Sequence, residues 1–483
     1  MKLCELIHAL NGNCKTTGDM NAEIHSLCTD SRKAERGSLF FCIQGLTRDA
    51  HEFAPQAVEK GASALVVQRL LDVDCPQIVV EDVRVALSLL AQCFYGYPAR
   101  QMRLIGVTGT KGKTTTCFLV KSILEAAGWK TGLIGTVCCM IGSTEVPSDK
   151  TTPDPVEFQS MLRQMADAGC DFVVMEVSAH AMAMHRLYGV HFEACAFTNL
   201  SQDHFDFFHN MDNYCAAKMM LFTPGMCGRG FYNADDELVS AAMRKAPVPT
   251  TGYAIREAAD IYAKNIEVGE RGDLFQINFH KRFRIDVELK LSGIFNVYNS
   301  LTAAALCDAV GAPPEAIRKG LENIKNVPGR VELLDTGTPY RVILDYAHSP
   351  DSLSNILSTV RQTTKKRVIA VFGCGGNRDR EKRPIMGEIG GKLADFCVLT
   401  SDNPRGEEPM DILNAIEEGI RRTDAQYKVI ENRREAIRYA LSIARAGDVV
   451  ILAGKGHETY QEIKGIKYPF DEKVVVKELL EEM

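Results

Sequence analysis

Short apolar runs alternate with segments of helical periodicity along the whole chain. In the first hundred residues the apolar runs are residues 39–43, 64–67 and 78–80, and the turn-rich segment 95–98 follows them. Runs of this length between helical segments are typical of buried strands in α/β proteins. We therefore predict a first α/β domain that ends at residue 98.

The pattern from residue 103 onwards is a strand, a glycine-rich loop and a helix that extends to about residue 127. Strand-like runs follow at 172–177 and 194–198, and three alternating segments then predict antiparallel strands of a small appended sheet. Those segments are residues 261–268, 274–279 and 283–289. A helical segment and the turn 326–329 follow, where we place a second domain boundary.

The last third of the chain repeats the α/β pattern. Four apolar runs alternate with helical segments, as a doubly wound parallel sheet requires. These runs are residues 342–344, 368–372, 396–400 and 449–453. The predicted domains are therefore 1–98, 99–328 and 329–483, an α/β fold with a central parallel sheet.

Composition supports three domains and narrows the class of protein. The chain has 483 residues, enough for about three domains. Its net charge is −6, so it lacks the basic excess of many nucleic-acid and membrane-surface proteins. No apolar run reaches membrane-spanning length, and the N-terminus lacks a secretory pattern. The sixteen cysteines are scattered without CxxC or zinc-ligand spacing. We expect a cytoplasmic protein with buried thiols and no nucleic-acid or membrane partner.

Polar, glycine-rich or charged clusters follow the apolar runs directly. In doubly wound sheets such positions lie at the carboxyl ends of the strands, where ligands bind. We therefore predict an active site in a cleft between domains. The clusters are TGTKGKT, EVSAH, TNLSQDHFD, DYAHSP, GCGGNRDR, SDNPRGEEP and GKGHE.

The glycine-rich segment 108–115, TGTKGKTT, predicts a phosphate loop. Glycines let backbone N–H groups approach phosphate oxygens, Lys113 would neutralise the terminal phosphates, and Thr114 would bind Mg²⁺. Val107 replaces the first glycine of the usual P-loop pattern, which disfavours an ordinary P-loop kinase or GTPase. The alternative is a simple strand-to-helix turn with exposed lysines.

Further candidates for metal binding are individually weak. Glu176 and the segment 203–206, DHFD, supply the oxygen and imidazole groups that Mg²⁺ beside a triphosphate could use. His180 and His185 lack helical metal spacing, and we interpret them as structural. From its helix alone, Lys218 is expected to be a solvated surface lysine.

The last third carries groups suited to a zwitterionic substrate. Arg378 and Arg405 each follow a strand, and guanidinium groups bind carboxylates in bidentate geometry. Glu458 could receive an ammonium group. The alternative for each arginine is a solvated side chain in a turn.

Ten motifs, in order from Thr108 to Glu458, resemble those of the Mur ligases, and the resemblance as a whole extends from Thr29 to Glu458. They are TGTKGKTT, EVSAH, TNLSQDH with Asp206, NYCAAK, GIFNVYN, PGRVE, DYAHSP, GCGGNRD, DNPR and GKGHE. The resemblance implies an N-terminal domain for a uridine nucleotide, a central ATPase domain and a C-terminal Rossmann-like domain for an amino acid. It also implies a cytoplasmic, monomeric enzyme of peptidoglycan synthesis that uses ATP and Mg²⁺.

The implied reaction adds meso-diaminopimelate to the D-glutamyl carboxylate of UDP-N-acetylmuramoyl-L-alanyl-D-glutamate through an acyl phosphate. The implied catalytic residues are Lys113, Glu176, His204 and Lys218, of which Lys218 is carbamylated; the metal ligands are Thr114, Glu176, His204 and Lys218. The implied ATP contacts are Gly109, Thr110, Lys111, Gly112, Lys113, Thr114, Thr115, Asn296, Arg330 and Asp345. The implied contacts to the uridine-linked substrate are Thr29, Ser31, Leu46, Thr47, Arg48, Thr151, Thr152, Ser178 and Arg186. The implied diaminopimelate pocket is Arg378, Asp402, Asn403, Pro404, Arg405, Gly454 and Glu458.

Three alternatives remain open at this stage. The ligase could add lysine instead, although lysine-adding relatives lack the arginine of DNPR. A folylpolyglutamate synthase would share the phosphate loop and the lysine, and a nucleotide-gated switch would hydrolyse ATP without ligation. Lys150 and Met184 also depart from the pattern of close relatives, which leaves local substrate contacts open.

Overall fold

The computed structural model describes residues 1–45, 48–146, 150–270 and 272–483. The chain forms two compact units. Unit 1 comprises Met1–Tyr262 and Leu301–Gly320, and unit 2 comprises Ala263–Ser300 and Leu321–Met483.

Unit 1 begins with a small α/β layer. Its sheet has the order β1-β5-β4-β3-β2 and is parallel except for β1. The three apolar runs predicted as strands are the core strands β3, β4 and β5, which confirms them. The strands are β1 (Lys15–Thr17), β2 (Ser26–Cys28), β3 (Ser38–Phe41), β4 (Ala64–Val67) and β5 (Gln77–Val79), and the helices are α1 (Leu3–Ile7), α2 (Ala54–Glu59) and α3 (Val83–Phe94).

Alternate residues of this sheet enter different cores. Leu39 and Phe41 pack with residues of α1 and α3 on one face. Phe40 and Leu65 pack with residues of α2 on the other face. Since both faces are covered by helices, the strands are apolar throughout, which is why they read as continuous runs.

The second layer of unit 1 is a larger parallel sheet. Its order is β13-β12-β11-β6-β10-β7, followed by the antiparallel strands β8 and β9. These strands are β6 (Arg103–Thr108), β7 (Thr131–Ile134), β8 (Cys139–Ile141), β9 (Thr144–Val146), β10 (Phe172–Glu176), β11 (Phe192–Phe197), β12 (Cys227–Asn233) and β13 (Thr250–Ala254). The central position of β6 places its carboxyl end between the ends of β10 and β11.

Six helices accompany this sheet, and one of them follows the phosphate loop directly. They are α4 (Lys113–Ala126), α5 (Pro155–Asp167), α6 (Ala179–Ala183), α7 (Phe205–Phe208), α8 (Met211–Met219) and α9 (Glu237–Met243). The strand, loop and helix predicted from residue 103 are therefore confirmed.

The three segments predicted as appended strands all form strands. β14 (Ile261–Gly269) begins parallel to β13, where Tyr253 pairs with Ile261. Within unit 2, β15 (Gly272–Phe279) and β16 (Phe283–Leu289) form the predicted antiparallel pair. The helices α10 (Ile294–Ala309) and α11 (Pro314–Asn323) follow them in the chain.

The rest of unit 2 is a doubly wound sheet with the order β17-β18-β22-β19-β20-β21, in which only β17 is antiparallel. In β19 (Val368–Phe372), Val368 and Ala370 pack beneath α12 (Pro350–Thr363), α13 (Lys382–Leu393) and α14 (Pro409–Ile420). Ile369 and Val371 pack on the other face, beneath α15 (Arg433–Ile443) and α16 (Glu472–Glu482). The elements are β17 (Glu332–Leu334), β18 (Arg341–Asp345), β19 (Val368–Phe372), β20 (Phe396–Leu399), β21 (Gln426–Val429), β22 (Val449–Ala453), the hairpin β23 (Tyr460–Ile463) and β24 (Ile466–Pro469), and the helices α12 (Pro350–Thr363), α13 (Lys382–Leu393), α14 (Pro409–Ile420), α15 (Arg433–Ile443) and α16 (Glu472–Glu482).

The predicted α/β class, with a parallel central sheet and a Rossmann-like last sheet, is confirmed. The boundaries at residues 98 and 328 stay predictions. All sixteen cysteines are free thiols, of which ten are buried and six are partly exposed. No helix in the described part of the chain has the length and apolar character needed to cross a membrane.

Candidate active site

The predicted phosphate loop connects the end of β6 to the start of α4. Gly109 and Gly112 have φ values of +144° and +83°, which side chains rarely tolerate. A Cβ on Gly109 would lie 2.0 Å from the Thr198 hydroxyl oxygen. Lys113 begins α4, and its ammonium donates to the carbonyls of Gly109 and Thr110, both at 2.9 Å. The loop thus combines free backbone geometry, a helix N-terminus and a lysine, as phosphate binding requires.

Residues after β11 hold this loop in place. The Asn199 carboxamide accepts from the Lys111 N–H and donates to the Lys111 carbonyl, both at 2.9 Å. The Thr198 hydroxyl donates to the same carbonyl at 2.6 Å. Thr110 exchanges hydrogen bonds with the backbone of Ser201. The TNLS segment therefore shapes the loop through neutral hydrogen bonds.

Lys218 is buried beneath the loop, with only 1% of its surface exposed. Its ammonium donates to the Gly109 carbonyl at 2.8 Å and lies 4.4 Å from the centre of the Tyr214 ring. Burial, followed by the nearby charge of Lys113, lowers the pKa of Lys218 well below its usual range. The expectation of a solvated helix lysine is therefore wrong, because α8 packs this face against the loop.

The Glu176 carboxylate lies at the end of β10 and is 1% exposed. One oxygen accepts from the Thr114 hydroxyl at 2.9 Å and from the Thr136 N–H at 2.8 Å. The other accepts from the Thr136 hydroxyl at 3.0 Å, and that hydroxyl lies 2.9 Å from the Thr151 hydroxyl. The structure therefore brings the two predicted metal ligands Thr114 and Glu176 together.

His204 is the third predicted metal ligand, and burial lowers its pKa, which favours the neutral imidazole. Its ring lies 4.8 Å from that of His180. Within the described residues, no three His, Cys, Asp or Glu side chains are grouped closely enough to hold a metal ion. The hard oxygen donors of Thr114 and Glu176 nevertheless fit Mg²⁺, which commonly takes its remaining ligands from phosphate and water.

Four residues predicted to contact the uridine-linked substrate also lie near Glu176. The Thr152 hydroxyl donates to the Glu176 carbonyl at 2.8 Å and accepts from the Ser178 N–H at 3.0 Å. The Arg186 guanidinium donates to the Thr152 carbonyl at 2.8 Å. With Thr151, these residues form one connected network at the end of β10.

The two departures from the family pattern both contact this network. Asp154 forms an ion pair with Arg186 at 3.1 Å and another with Lys150. The Arg186 guanidinium also donates to the Met184 sulfur at 3.7 Å. Met184 therefore contacts Arg186 directly, and Lys150 shares Asp154 with it.

The other predicted contacts to that substrate lie in the first layer of unit 1. The Ser31 hydroxyl donates to the Gln56 side chain at 2.8 Å, whereas Thr29 and Arg48 are exposed. Leu46 and Thr47 lie outside the described residues.

Three predicted ATP contacts lie in unit 2. The Asn296 amide donates to the Ser292 carbonyl at 3.0 Å, and the Asp345 carboxylate accepts from the Val331 N–H at 2.8 Å. The Arg330 guanidinium lies 5.0 Å from the centre of the Tyr346 ring.

The predicted amino-acid pocket forms at the carboxyl ends of β20 and β22. The Asn403 amide donates to the Glu458 carboxylate at 2.8 Å. The buried ammonium of Lys455 donates to the Asn403 oxygen at 3.0 Å and to Glu458 at 3.2 Å. Lys455 therefore holds the two predicted ligand groups together.

A second charged group lies below these loops. The Arg433 guanidinium donates to Glu472 at 2.8 Å, to the Ala453 carbonyl at 2.9 Å and to the Ser401 carbonyl at 3.4 Å, and both charged side chains are fully buried. Burial raises the pKa of Asp402, but Lys455 and Arg433 outweigh it, so that pKa lies below its usual range. A Cβ on Gly454 would lie 2.3 Å from the Asp402 carboxylate. Asp402 therefore stays ionised against the Gly454 backbone.

The two predicted carboxylate-binding arginines have different surroundings. Arg405 adopts φ +51°, donates to the Gly376 carbonyl at 3.0 Å and pairs with Glu462 at 3.3 Å. Arg378 is exposed, and its guanidinium donates to the Asn377 carbonyl at 3.1 Å. Arg405 is thus held in position, whereas Arg378 lies at the surface.

Glu407 joins the loops that carry these arginines. Its carboxylate accepts from the Asn377 N–H at 2.5 Å and from the buried Arg383 at 2.9 Å. The Gly406 N–H donates to the Asn377 side chain at 2.8 Å. These hydrogen bonds therefore join the two loops.

Sequence reasoning missed several residues of these sites. In unit 1 they are Thr136, Thr198 and Asn199; in unit 2 they are Lys455, Arg433, Glu472, Glu407 and Glu462. Lys455, Thr198, Asn199 and Glu407 lie inside clusters that the sequence already singled out, so their position was a signal. Thr136, Arg433, Glu472 and Glu462 lie outside those clusters and reach the sites through contacts between distant segments.

Three Mur ligase profiles match the chain. They are described as the Mur ligase family catalytic domain over residues 23–95, the Mur ligase middle domain over 107–307, and the Mur ligase glutamate ligase domain over 329–456.

Two bacterial relatives of the chain are named as diaminopimelate ligases. The chain is 44% identical over 470 residues to UDP-N-acetylmuramoyl-L-alanyl-D-glutamate–2,6-diaminopimelate ligase 1 of Clostridium acetobutylicum, covering 96% of both chains. It is 44% identical over 492 residues to the ligase of that name in Bacillus licheniformis, covering 100% of both. A solved structure of a ligase with this name superimposes with a TM-score of 0.70 at 29% identity, covering 100% of this chain and 99% of the other.

Proposed function

Because the chain belongs to the Mur ligase family, we propose that it joins meso-diaminopimelate to the D-glutamyl carboxylate of UDP-N-acetylmuramoyl-L-alanyl-D-glutamate. The observation that carries this proposal is the pair of loops at residues 402–405 and 454–458. The Asn403 amide donates to the Glu458 carboxylate at 2.8 Å, and the Arg405 guanidinium, from the same loop as Asn403, donates to the Gly376 carbonyl at 3.0 Å. Groups of opposite charge in this arrangement suit a zwitterionic amino acid.

The reaction consumes ATP as the activating substrate. The D-glutamyl carboxylate attacks the γ-phosphorus, an acyl phosphate forms, and ADP leaves. The amine of diaminopimelate then attacks the acyl carbon, the tetrahedral intermediate collapses, and phosphate and one proton leave. A carboxylate is a poor acyl donor until its oxygen becomes part of a phosphate leaving group.

We assign the phosphates of ATP to the loop at residues 109–115. The Lys113 ammonium, which donates to two loop carbonyls, would exchange them for phosphate oxygens and stabilise the charge of the transferred group. Asn199 and Thr198 hold the loop in its binding shape. We assign Asn296, Arg330 and Asp345 to the rest of the nucleotide.

Thr114, Glu176 and His204 would hold Mg²⁺. Thr114 and Glu176 lie in direct contact, and Thr136 fixes the orientation of the carboxylate with two hydrogen bonds. When bound, Mg²⁺ supplies charge stabilisation for phosphoryl transfer.

We assign Lys218 to carbamylation. Its amine would attack CO₂, and a carbamate and one proton would form, so that a cation becomes an anionic oxygen ligand. The support is its placement: it is buried and shares the Gly109 carbonyl with Lys113, where two ammonium groups repel each other. Intact mass measurement would detect the added CO₂, and Lys218→Ala would remove it.

We assign the uridine-linked substrate to Thr29, Ser31, Leu46, Thr47, Arg48, Thr151, Thr152, Ser178 and Arg186. The support is the network that joins Thr152, Ser178 and Arg186 to the end of β10 beside Glu176. There it would position the D-glutamyl carboxylate for phosphorylation.

We assign diaminopimelate to Arg378, Asp402, Asn403, Pro404, Arg405, Gly454 and Glu458. We place the reaction in the cytoplasm, because ATP and nucleotide-linked precursors are available there. We also propose a monomer that needs no nucleic-acid or membrane partner, as the family resemblance implies.

Phosphate release tests this function. The enzyme is given ATP, Mg²⁺ and UDP-N-acetylmuramoyl-L-alanyl-D-glutamate, with meso-diaminopimelate or L-lysine in parallel. We expect release that depends on diaminopimelate and is weak with lysine. A preference for lysine would contradict the pocket assignment, and release that depends on neither would contradict ligation.

A further inference from the structure

The guanidinium of Arg405 already has an acidic partner within the protein. Its Nε lies 3.3 Å from a carboxylate oxygen of Glu462, and the two side chains are 24% and 26% exposed. Glu462 lies outside the family motifs, yet it is placed beside the proposed diaminopimelate pocket.

The backbone fixes this pair in register. The Arg405 N–H donates to the Glu462 carbonyl at 3.0 Å, and the Lys464 N–H donates to the Arg405 carbonyl at 2.6 Å. The Glu462 N–H also donates to the Asn403 side chain at 2.9 Å. β23 therefore runs beside the segment that contains Asn403 and Arg405, so Glu462 cannot move away as a freely rotating surface residue would.

The rest of the guanidinium is oriented by the facing loop. Its Nη1 donates to the Gly376 carbonyl at 3.0 Å. A Cβ on Gly375 would lie 2.7 Å from that nitrogen, so glycine is needed to make room for the group. The guanidinium therefore contacts Glu462 through Nε and the Gly376 carbonyl through Nη1.

We propose that Glu462 is a specificity-determining residue for the amino acid. It is the resident counter-ion of Arg405, and it repels the carboxylate that would bind to the same guanidinium. This inference rests on the proposed function, in which Arg405 receives the second carboxylate of diaminopimelate.

Glu462 affects the binding of the two amino acids in opposite directions: it weakens the binding of diaminopimelate and favours the binding of lysine. Diaminopimelate gains less from Arg405 than it would from an uncompensated guanidinium, because its carboxylate also meets the negative charge of Glu462. Lysine has no carboxylate at that end, and it leaves Arg405 without a ligand. Glu462 still pairs with the guanidinium in the lysine complex. The free energy that lysine binding loses by leaving Arg405 without a ligand carboxylate is therefore smaller. Glu462 therefore lowers the ratio of kcat/KM for diaminopimelate to kcat/KM for lysine.

The test replaces Glu462 by glutamine, which keeps the shape of the side chain and removes its charge. We expect Glu462→Gln to lower the KM for diaminopimelate by about fivefold, the value of a partly exposed ion pair. The ratio of kcat/KM for diaminopimelate to that for lysine should rise by a similar factor. Higher ionic strength should reduce the difference between the variant and the wild type.

Glu408→Gln is the matched control. Glu408 lies on the same loop and pairs with Lys464 at 3.4 Å, but both side chains are about 70% exposed. The same loss of charge there should leave the KM for both amino acids unchanged. Equal effects of the two variants would show a general charge effect and overturn the inference.

A raised KM for diaminopimelate in Glu462→Gln would also overturn it, because Glu462 would then only orient Arg405. The proposed function is tested separately, by measuring ligation with the wild-type enzyme alone. If the wild type ligates diaminopimelate and the variant behaves like the wild type, the inference alone fails. If the wild type ligates neither amino acid, the proposed function fails with it.

Discussion

The phosphate loop of unit 1 and the amino-acid pocket of unit 2 manage charge in opposite ways. At the loop, the ammonium groups of Lys113 and of Lys218 before the proposed carbamylation both donate to the Gly109 carbonyl, and neutral side chains hold the backbone. At the pocket, charges of opposite sign alternate: Lys455 contacts Glu458, and Arg405 contacts Glu462.

The difference follows from the ligands that we assign to each site. A nucleotide triphosphate with its metal ion brings negative charge, so its site can gather cations and obtain the balancing charge from the ligand. A zwitterion brings both signs, so its site must present both, and each buried charge needs a partner when the ligand is absent. The following predictions test this contrast.

The largest effect is expected at Lys113. Lys113→Ala should lower kcat by about 10³-fold, because the loop then lacks the cation that stabilises the transferred phosphoryl group. The KM for diaminopimelate should change little, since the variant leaves the pocket of unit 2 intact. Steady-state phosphate release at varied amino-acid concentration measures both quantities. A large rise in that KM would contradict the separation of roles.

The next effect concerns the buried pair Arg433 and Glu472. Arg433→Met should reduce the free energy of unfolding by about 3 kcal/mol, because Glu472 is then buried without its partner. The double variant Arg433→Met/Glu472→Met should recover most of that loss, since neither charge remains. Urea unfolding of the full chain measures the free energy of unfolding of the wild type and of both variants. If the double variant is as unstable as the single one, packing and not charge explains the loss.

Arg405 should show a binding effect of intermediate size. Arg405→Ala should raise the KM for diaminopimelate by about 100-fold, the value of a charge-assisted bidentate contact, while the KM for ATP stays unchanged. Arg421→Ala is the control, because Arg421 pairs with Glu417 on the exposed face of α14. An equal rise in both KM values for Arg405→Ala would contradict its assignment to the amino acid.

Local patterns were sufficient to predict much of the fold and part of the sites. The central strands of the parallel sheets, among them β4, β19 and β22, are continuous apolar runs because their two faces pack into different cores. The strands β12, β13 and β21 lack such runs and were not predicted. The phosphate loop was recognisable because Gly109 and Gly112 need positive φ directly before a helix. The loops with Asn403 and Glu458 were predictable because parallel strands align their carboxyl ends.

The remaining features depend on packing between distant segments. Lys218 reads as a solvated lysine until α8 places it against Gly109, more than one hundred residues earlier in the chain. Arg433 and Glu472 meet only when α15 and α16 pack together. Glu462 reaches Arg405 only because β23 aligns with the segment 403–405. No pattern within a short window of sequence could show these three contacts.

The smallest expected effect is a difference between the two sites in how the free energy of unfolding depends on pH. Hydrogen bonds from Arg383, followed by that from the Asn377 N–H, lower the pKa of Glu407 from 4.5 to about 2. The folded state therefore binds fewer protons at this residue than the unfolded state does. Its contribution to stability is complete above pH 4.5 and is lost as the pH falls through 2.

Glu407→Gln should therefore reduce the free energy of unfolding by on the order of 2 kcal/mol at neutral pH and by much less at about pH 3. Asn199→Ala, which removes neutral bonds from the phosphate loop, should cost about 1 kcal/mol at both pH values. Urea unfolding of both variants and the wild type measures these differences. The contrast holds only if the loss at Glu407 depends on pH and the loss at Asn199 does not, because ion pairs titrate and amide hydrogen bonds do not. An equal pH dependence in both variants would mean that the two sites are stabilised alike.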